Sequence, residues 1–129
     1  MSMNDPIANA LNIINNAEFS AKRECNFNYS NFLEKIIDLL KKERYVKNYK
    51  VEEKDAFKKI TVYLNGSINK CKAIKPRYAV KRDNYEVFEK SYLISRDVGI
   101  LIVSTNQGVM SHKEAKEKNL GGRLIGYIY

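Results

Sequence analysis

Four aliphatic residues in a row, Ile100-Leu101-Ile102-Val103, constrain the fold of this chain more than any other stretch. They sit in a run, residues 98–105, that is apolar along most of its length. A strand with one wet face alternates polar and apolar residues; this run does not, which predicts a strand buried on both faces. With 129 residues, 44% of them apolar, the chain can build a core around it. The run then ends in Ser104-Thr105-Asn106-Gln107-Gly108. A connecting loop needs only turn residues, whereas this one also offers hydroxyls and amides. Ser111-His112-Lys113-Glu114 fits a capping box, so a short helix is predicted to open at Ser111 directly after the loop. It is expected to run to about Asn119, with Gly121-Gly122 ending it and residues 124–129 forming a last strand.

Upstream, Asp5-Pro6 reads as an N-cap followed by proline in the first helical position. Ile7, Ala10, Leu11, Ile14 and Ala17 recur at helical spacing. The other face carries Asn9, Asn12, Asn15 and Asn16 and no charge before Glu18. Asparagine is a poor helix former. An uncharged amide face can hydrogen-bond sugars, phosphates and bases, although drift on a solvent face accounts for it equally. Residues 24–28 alternate like a strand. Ser30 is expected to cap a second helix whose apolar set is Phe32, Leu33, Ile36, Ile37, Leu39 and Leu40, ending near Arg44-Tyr45. Strands at 46–51 and 59–64 follow, joined by a polar turn around Asp55, and Asn65-Gly66 signals another turn. In the second half, 68–74 is weakly strand-like, Pro76 interrupts, 78–80 is extended and 84–93 is a short helix. The expected fold is α+β: two small packed domains, an α-β-α-β-β half at 1–70 with helices on one face of a three-stranded sheet, and a β-rich half at 71–129 with short helices.

Charge gives the first functional clue. Twenty-three Lys and Arg face fifteen Asp and Glu, a net +8. Residues 61–129 hold twelve bases and six acids, and between Asp55 and Asp83 there are eight bases and no acid. Such a segment attracts a polyanion, and nucleic acid fits it better than a merely solvated basic surface. No apolar run approaches the roughly eighteen residues of a membrane span, and the N-terminus has no secretory pattern. Cys25 and Cys71 form neither a zinc spacing nor a redox pair and are read as reduced, in an intracellular protein.

Catalysis is the weaker reading. The one histidine, His112, could pair with Ser104, Ser111 or Cys25. However, no nucleophile-elbow, zincin, C-x-x-C or phosphate-loop pattern supports this, and Glu52-Glu53 reads as solvated surface. No cofactor, metal or small-molecule substrate is expected. RNA explains the loop better. The A-form minor groove is wide and shallow and displays 2′-hydroxyls, which small hydroxyl side chains can reach, and glycine permits close backbone approach. Taken alone, a simple turn accounts for these residues as well. Two further classes remain: a free regulator acting on its own messenger RNA, and a module that binds acidic proteins.

The order of the pieces adds to this. DPIANALNIINNAE, NGSINKCKAIKPRYAVK and DVGILIVSTNQGVMSHKEAKEKNLGGRLIGYIY together resemble the small-subunit ribosomal protein conventionally numbered eight, in its archaeal and eukaryotic form and most like an archaeal member, over essentially the whole chain. That resemblance implies a protein of the cytoplasmic ribosome that binds a helix in the central domain of small-subunit rRNA, helps assemble the subunit platform, and lies beside other small-subunit proteins. It implies that Ser104, Thr105 and Gly108 lie against the RNA minor groove. Asn106 stands where serine is usual and keeps donor and acceptor capacity. Lys75, Arg77, Tyr78 and Lys81 resemble the family's second contact region. Arg123 stands where many members carry an acid and adds a cation; Arg82 extends the basic set. The opening helix gives Asn16 an RNA contact. Lys75, Arg77, Lys81, Arg82 and Arg123 are expected to touch phosphates, while Ser104, Thr105, Asn106 and Tyr78 read shape and 2′-hydroxyls.

Overall fold

Pro6 opens the first helix, α1 (Pro6–Phe19), and its apolar positions Ile7, Ala10, Leu11, Ile14 and Ala17 are all buried, as their spacing predicts. The computed structural model describes residues 6–54, 56–74, 77–93 and 98–129. The expected cap at Asp5, the turn at Asp55 and the break at Pro76 lie outside the described residues. α1 leads through a left-handed Ala21 (φ 58°) into β1 (Glu24–Asn28). Ser30 caps α2 (Asn31–Lys42), its hydroxyl accepting from the Leu33 N–H at 3.5 Å. Arg44, at φ 67°, closes the helix end, and β2 (Val46–Lys54) and β3 (Phe57–Leu64) follow as a hairpin longer than the sequence indicates.

These strands form an antiparallel sheet in the order β1-β3-β2. Register explains which face is covered. Phe27 lies opposite Ile60, and Cys25 and Tyr49 flank Val62, so Phe27, Ile60 and Val62 are buried on one face beneath α1 and α2. Asn26, Thr61 and Lys50 share the other face. The Glu18 carboxylate accepts the Ile68 N–H at 3.0 Å and holds the chain as it leaves the sheet.

The chain divides into two compact units, Met1–Asn69 and Lys70–Tyr129. The second contains β4 (Cys71–Ala73), β5 (Ala79–Val80), α3 (Tyr85–Tyr92), β6 (Ile100–Thr105), β7 (Gly108–Ser111), α4 (His112–Glu117) and β8 (Gly122–Ile128). Its antiparallel sheet runs β4-β8-β6-β7, with β5 taking a further stretch of β8's edge after β4. Ile100, Leu101, Ile102 and Val103 are all buried, so the aliphatic run is covered on both faces. On one face Leu101, Val103, Met110 and Leu124 join Tyr85 of α3 and Ala115 of α4 in a core. The Tyr85 hydroxyl donates to the Leu120 carbonyl at 2.8 Å, satisfying the polar end of a buried ring.

Two expectations need correction. The stretch between the central strand and the last helix is not an open loop: residues 108–111 form β7, because the apolar run provides a partner edge that local composition does not reveal. Met110 is accordingly a core residue within a strand. The last helix is stopped by Asn119, left-handed at φ 56°, with the Leu120 N–H returning to the Ala115 carbonyl at 2.9 Å. The glycine pair that follows has a different role.

Candidate RNA-binding surface

β6 and β7 make a hairpin whose turn is Asn106-Gln107, both exposed. The left-handed step falls on Gly108, at φ 118°, where an L side chain would be strained. Thr105 closes the turn from inside. Its hydroxyl donates to the Gly108 carbonyl at 2.9 Å and accepts from the Gln107 N–H at 3.1 Å. The proton is thereby committed to the turn, and a lone pair remains for an outside donor. Ser104 is half-buried and its hydroxyl has no hydrogen bond among the described residues.

The glycine pair brings the remaining residues to this hairpin. A Cβ on Gly122 would lie 2.2 Å from the Ser104 carbonyl oxygen, and one on Gly121 would lie 2.6 Å from the Val80 oxygen and 3.3 Å from Lys81 Cα. Only side-chain-free residues let β5, β8 and β6 close to this distance. Lys81 and Arg82 therefore sit next to the base of the hairpin. Arg123 follows, paired with Ala79 of β5 on one side and Ser104 of β6 on the other. Directly opposed antiparallel residues have Cβ atoms about 5 Å apart, so the guanidinium stem and the serine share one face. Arg123 Nη1 donates to the Arg77 carbonyl at 3.4 Å, and the Leu124 N–H donates to the Tyr78 carbonyl at 2.9 Å. The Tyr78 ring leans on Phe88 of α3, centroids 5.8 Å apart, and is 42% exposed. Its hydroxyphenyl edge is thus held in place yet open to a ligand.

Of the residues singled out from sequence, Ser104, Thr105, Asn106, Gly108, Arg77, Tyr78, Lys81, Arg82 and Arg123 converge on this rim of the second unit. The Arg77, Lys81, Arg82 and Arg123 side chains are exposed. Lys75 lies outside the described residues. Asn16 belongs to the other unit, where it lines an open groove with Ser20, Lys22 and Asn26. Cys25, in the same groove, has its thiol pushed up to about 11 by burial, with Glu18 and Glu24 adding to the shift. That leaves it a poor nucleophile at neutral pH.

His112 forms no pair with a nucleophile. It is 1% exposed, its Nδ1 accepts the Leu101 N–H at 3.0 Å, and its Nε2 lies 3.3 Å from a Glu89 carboxylate oxygen that Lys116 Nζ also reaches. Burial pushes its pKa down to about 4 against the opposing pull of Glu89, with Lys116 and Lys113 adding to the depression. The imidazole is therefore neutral at pH 7, and both nitrogens are occupied within the fold. Sequence reasoning missed Glu89 and Lys116. The i, i+4 spacing of His112 and Lys116 was the available signal, but it does not reveal which acid on another helix meets them.

Among the described residues no group of His, Cys, Asp and Glu could hold a metal ion, and no helix is long and apolar enough to cross a membrane. The family model for ribosomal protein S8 matches residues 5–129, nearly the whole chain and both units. That family consists of structural RNA-binding proteins of the small ribosomal subunit and not of enzymes. The chain therefore belongs to the ribosomal protein S8 family and is a ribosomal protein that binds rRNA.

Proposed function

We propose that this chain binds a helix in the central domain of small-subunit rRNA and helps assemble the platform of the subunit, next to other small-subunit proteins of the cytoplasmic ribosome. The observation that carries this is the convergence at Gly121-Gly122, where a hydroxyl-bearing hairpin, an aromatic ring and four exposed cations meet on one rim. The division of labour follows from chemistry. Arg77, Lys81, Arg82 and Arg123 hold phosphates and set affinity, and Lys75 is assigned the same task from its place in the sequence. Ser104, the Thr105 lone pair, Asn106 and Tyr78 read the shallow groove and its 2′-hydroxyls, while Gly108 keeps the turn free of a side chain. Asn16, on the N-terminal unit, contributes a separate amide contact.

The test is crosslinking in cell extract followed by sequencing of the attached RNA. Reads concentrated in the central domain of small-subunit rRNA support the proposal. Reads confined to the chain's own messenger would make it a free regulator instead, and binding insensitive to nuclease would make it a module for acidic proteins.

A further inference from the structure

The buried cluster of His112, Glu89 and Lys116 lies beyond the RNA-facing rim, yet it is joined to it through β6. Antiparallel strands alternate hydrogen-bonded and non-bonded pairs. Counting back from the turn-closing pair Thr105–Gly108, the next bonded pair is Val103–Met110, and the one after it would set Leu101 opposite His112, one step past the end of the β6–β7 pairing at Ile102–Ser111. At that last position α4 has begun, and the backbone carbonyl of a helical His112 turns into the helix. The Leu101 N–H is met instead by the His112 ring, at Nδ1 and 3.0 Å. The side chain takes the place of the missing ladder acceptor.

We propose that His112 is a positioning residue for RNA recognition: its imidazole pins the register of the hairpin that carries Ser104, Thr105 and Asn106, and Glu89 fixes the tautomer that makes this work. A ring that accepts at Nδ1 must carry its proton on Nε2, and Nε2 faces the Glu89 carboxylate at 3.3 Å. Lys116 balances the charge of that carboxylate, which is nearly enclosed. The arrangement ties β6 to α3, the helix whose Phe88 supports the Tyr78 ring. The hydroxyl hairpin and the aromatic contact are thus set relative to each other by a single ring. Register matters here because a slip of one residue would send every side chain of β7 to the opposite face. The proposal rests on the RNA-binding reading of the rim only for its consequence; the pinning itself is a property of the free protein.

The experiment therefore has two arms. In the full-length parent, nitrogen-15 spectra of the imidazole should show Nε2 protonated and Nδ1 bare, and the Leu101 amide should exchange slowly with solvent. A proton on Nδ1, or a freely exchanging Leu101 amide, overturns the proposal, and neither reading depends on a variant that folds. In the second arm, affinity for transcribed small-subunit rRNA is compared with affinity for an unrelated duplex at the same salt. His112→Asn places an amide oxygen near the Nδ1 position and should keep the ratio of the two affinities within about threefold of the parent. His112→Gln does not reach that position, and its ratio should fall about tenfold, the scale of one lost hydrogen bond. Equal ratios for the Asn and Gln variants overturn the proposal. A parent that shows no preference for rRNA defeats the reading of the rim, while the first arm still decides the pinning.

Discussion

Thr105 uses its hydroxyl twice inside the hairpin turn, so its value to stability can be separated from its value to RNA. Thr105→Val keeps the shape and removes both bonds. It is expected to destabilise the free protein by about 1–2 kcal/mol, read by urea denaturation, whereas Thr105→Ser should remain close to the parent. A valine variant that unfolds at the parental midpoint would show the hydroxyl to be idle in the turn. His112 supplies the pH signature. Its folded pKa, about 4, lies below the free value of about 6.5, so between these pH values the unfolded chain binds more protons than the folded one. Stability should rise with pH across that window and level off above it. As pH falls through it, a contribution on the order of 3 kcal/mol is lost, and chemical denaturation at stepped pH would show the slope. Its absence in His112→Gln would assign it to this ring. At this scale the sequence disclosed which residues carry useful chemistry but not how they are engaged. Thr105 and His112 were both visible as candidates, yet the partners they meet, turn backbone for Thr105 and the Leu101 N–H with the Glu89 carboxylate for His112, are set only by the folded hairpin and the packing of α3.

Among elements, the helices and the central strand were legible because their signals are local. Ser30 and Ser111 cap where their spacing from the apolar positions indicates, and the buried set of α1 follows from its periodicity. β7 was not legible. Residues 108–111 carry no alternation of their own and become a strand only because β6 offers an edge. The glycine pair was visible as punctuation, but its work is tertiary. Gly122→Ala would force a methyl to within 2.2 Å of the Ser104 oxygen, a clash with backbone that no side-chain rotation relieves. The expected cost is at least about 2 kcal/mol, together with weaker rRNA binding, as β6 and β8 separate beneath the rim. Thermal unfolding and a filter-binding titration would measure the two effects. Unchanged values in both would mean that the three strands need not close as tightly as they do.

For the molecule as a whole, the charge read from sequence and the rim found in the structure make one statement about affinity. The net charge of +8 is concentrated in the chain's second half, and Arg77, Lys81, Arg82 and Arg123 are exposed there. Lys81→Ala should weaken binding to any duplex RNA and reduce the slope of log affinity against log salt by roughly one unit. An unchanged slope would remove this lysine from the phosphate set. The hairpin has a further consequence for the timing of assembly. Its turn is already closed by Thr105 and its far end is already met by His112 before any RNA is present. Little chain entropy is left to surrender on contact, so encounter and recognition can merge into one step, paced by diffusion and ionic strength and not by a slow rearrangement of the protein.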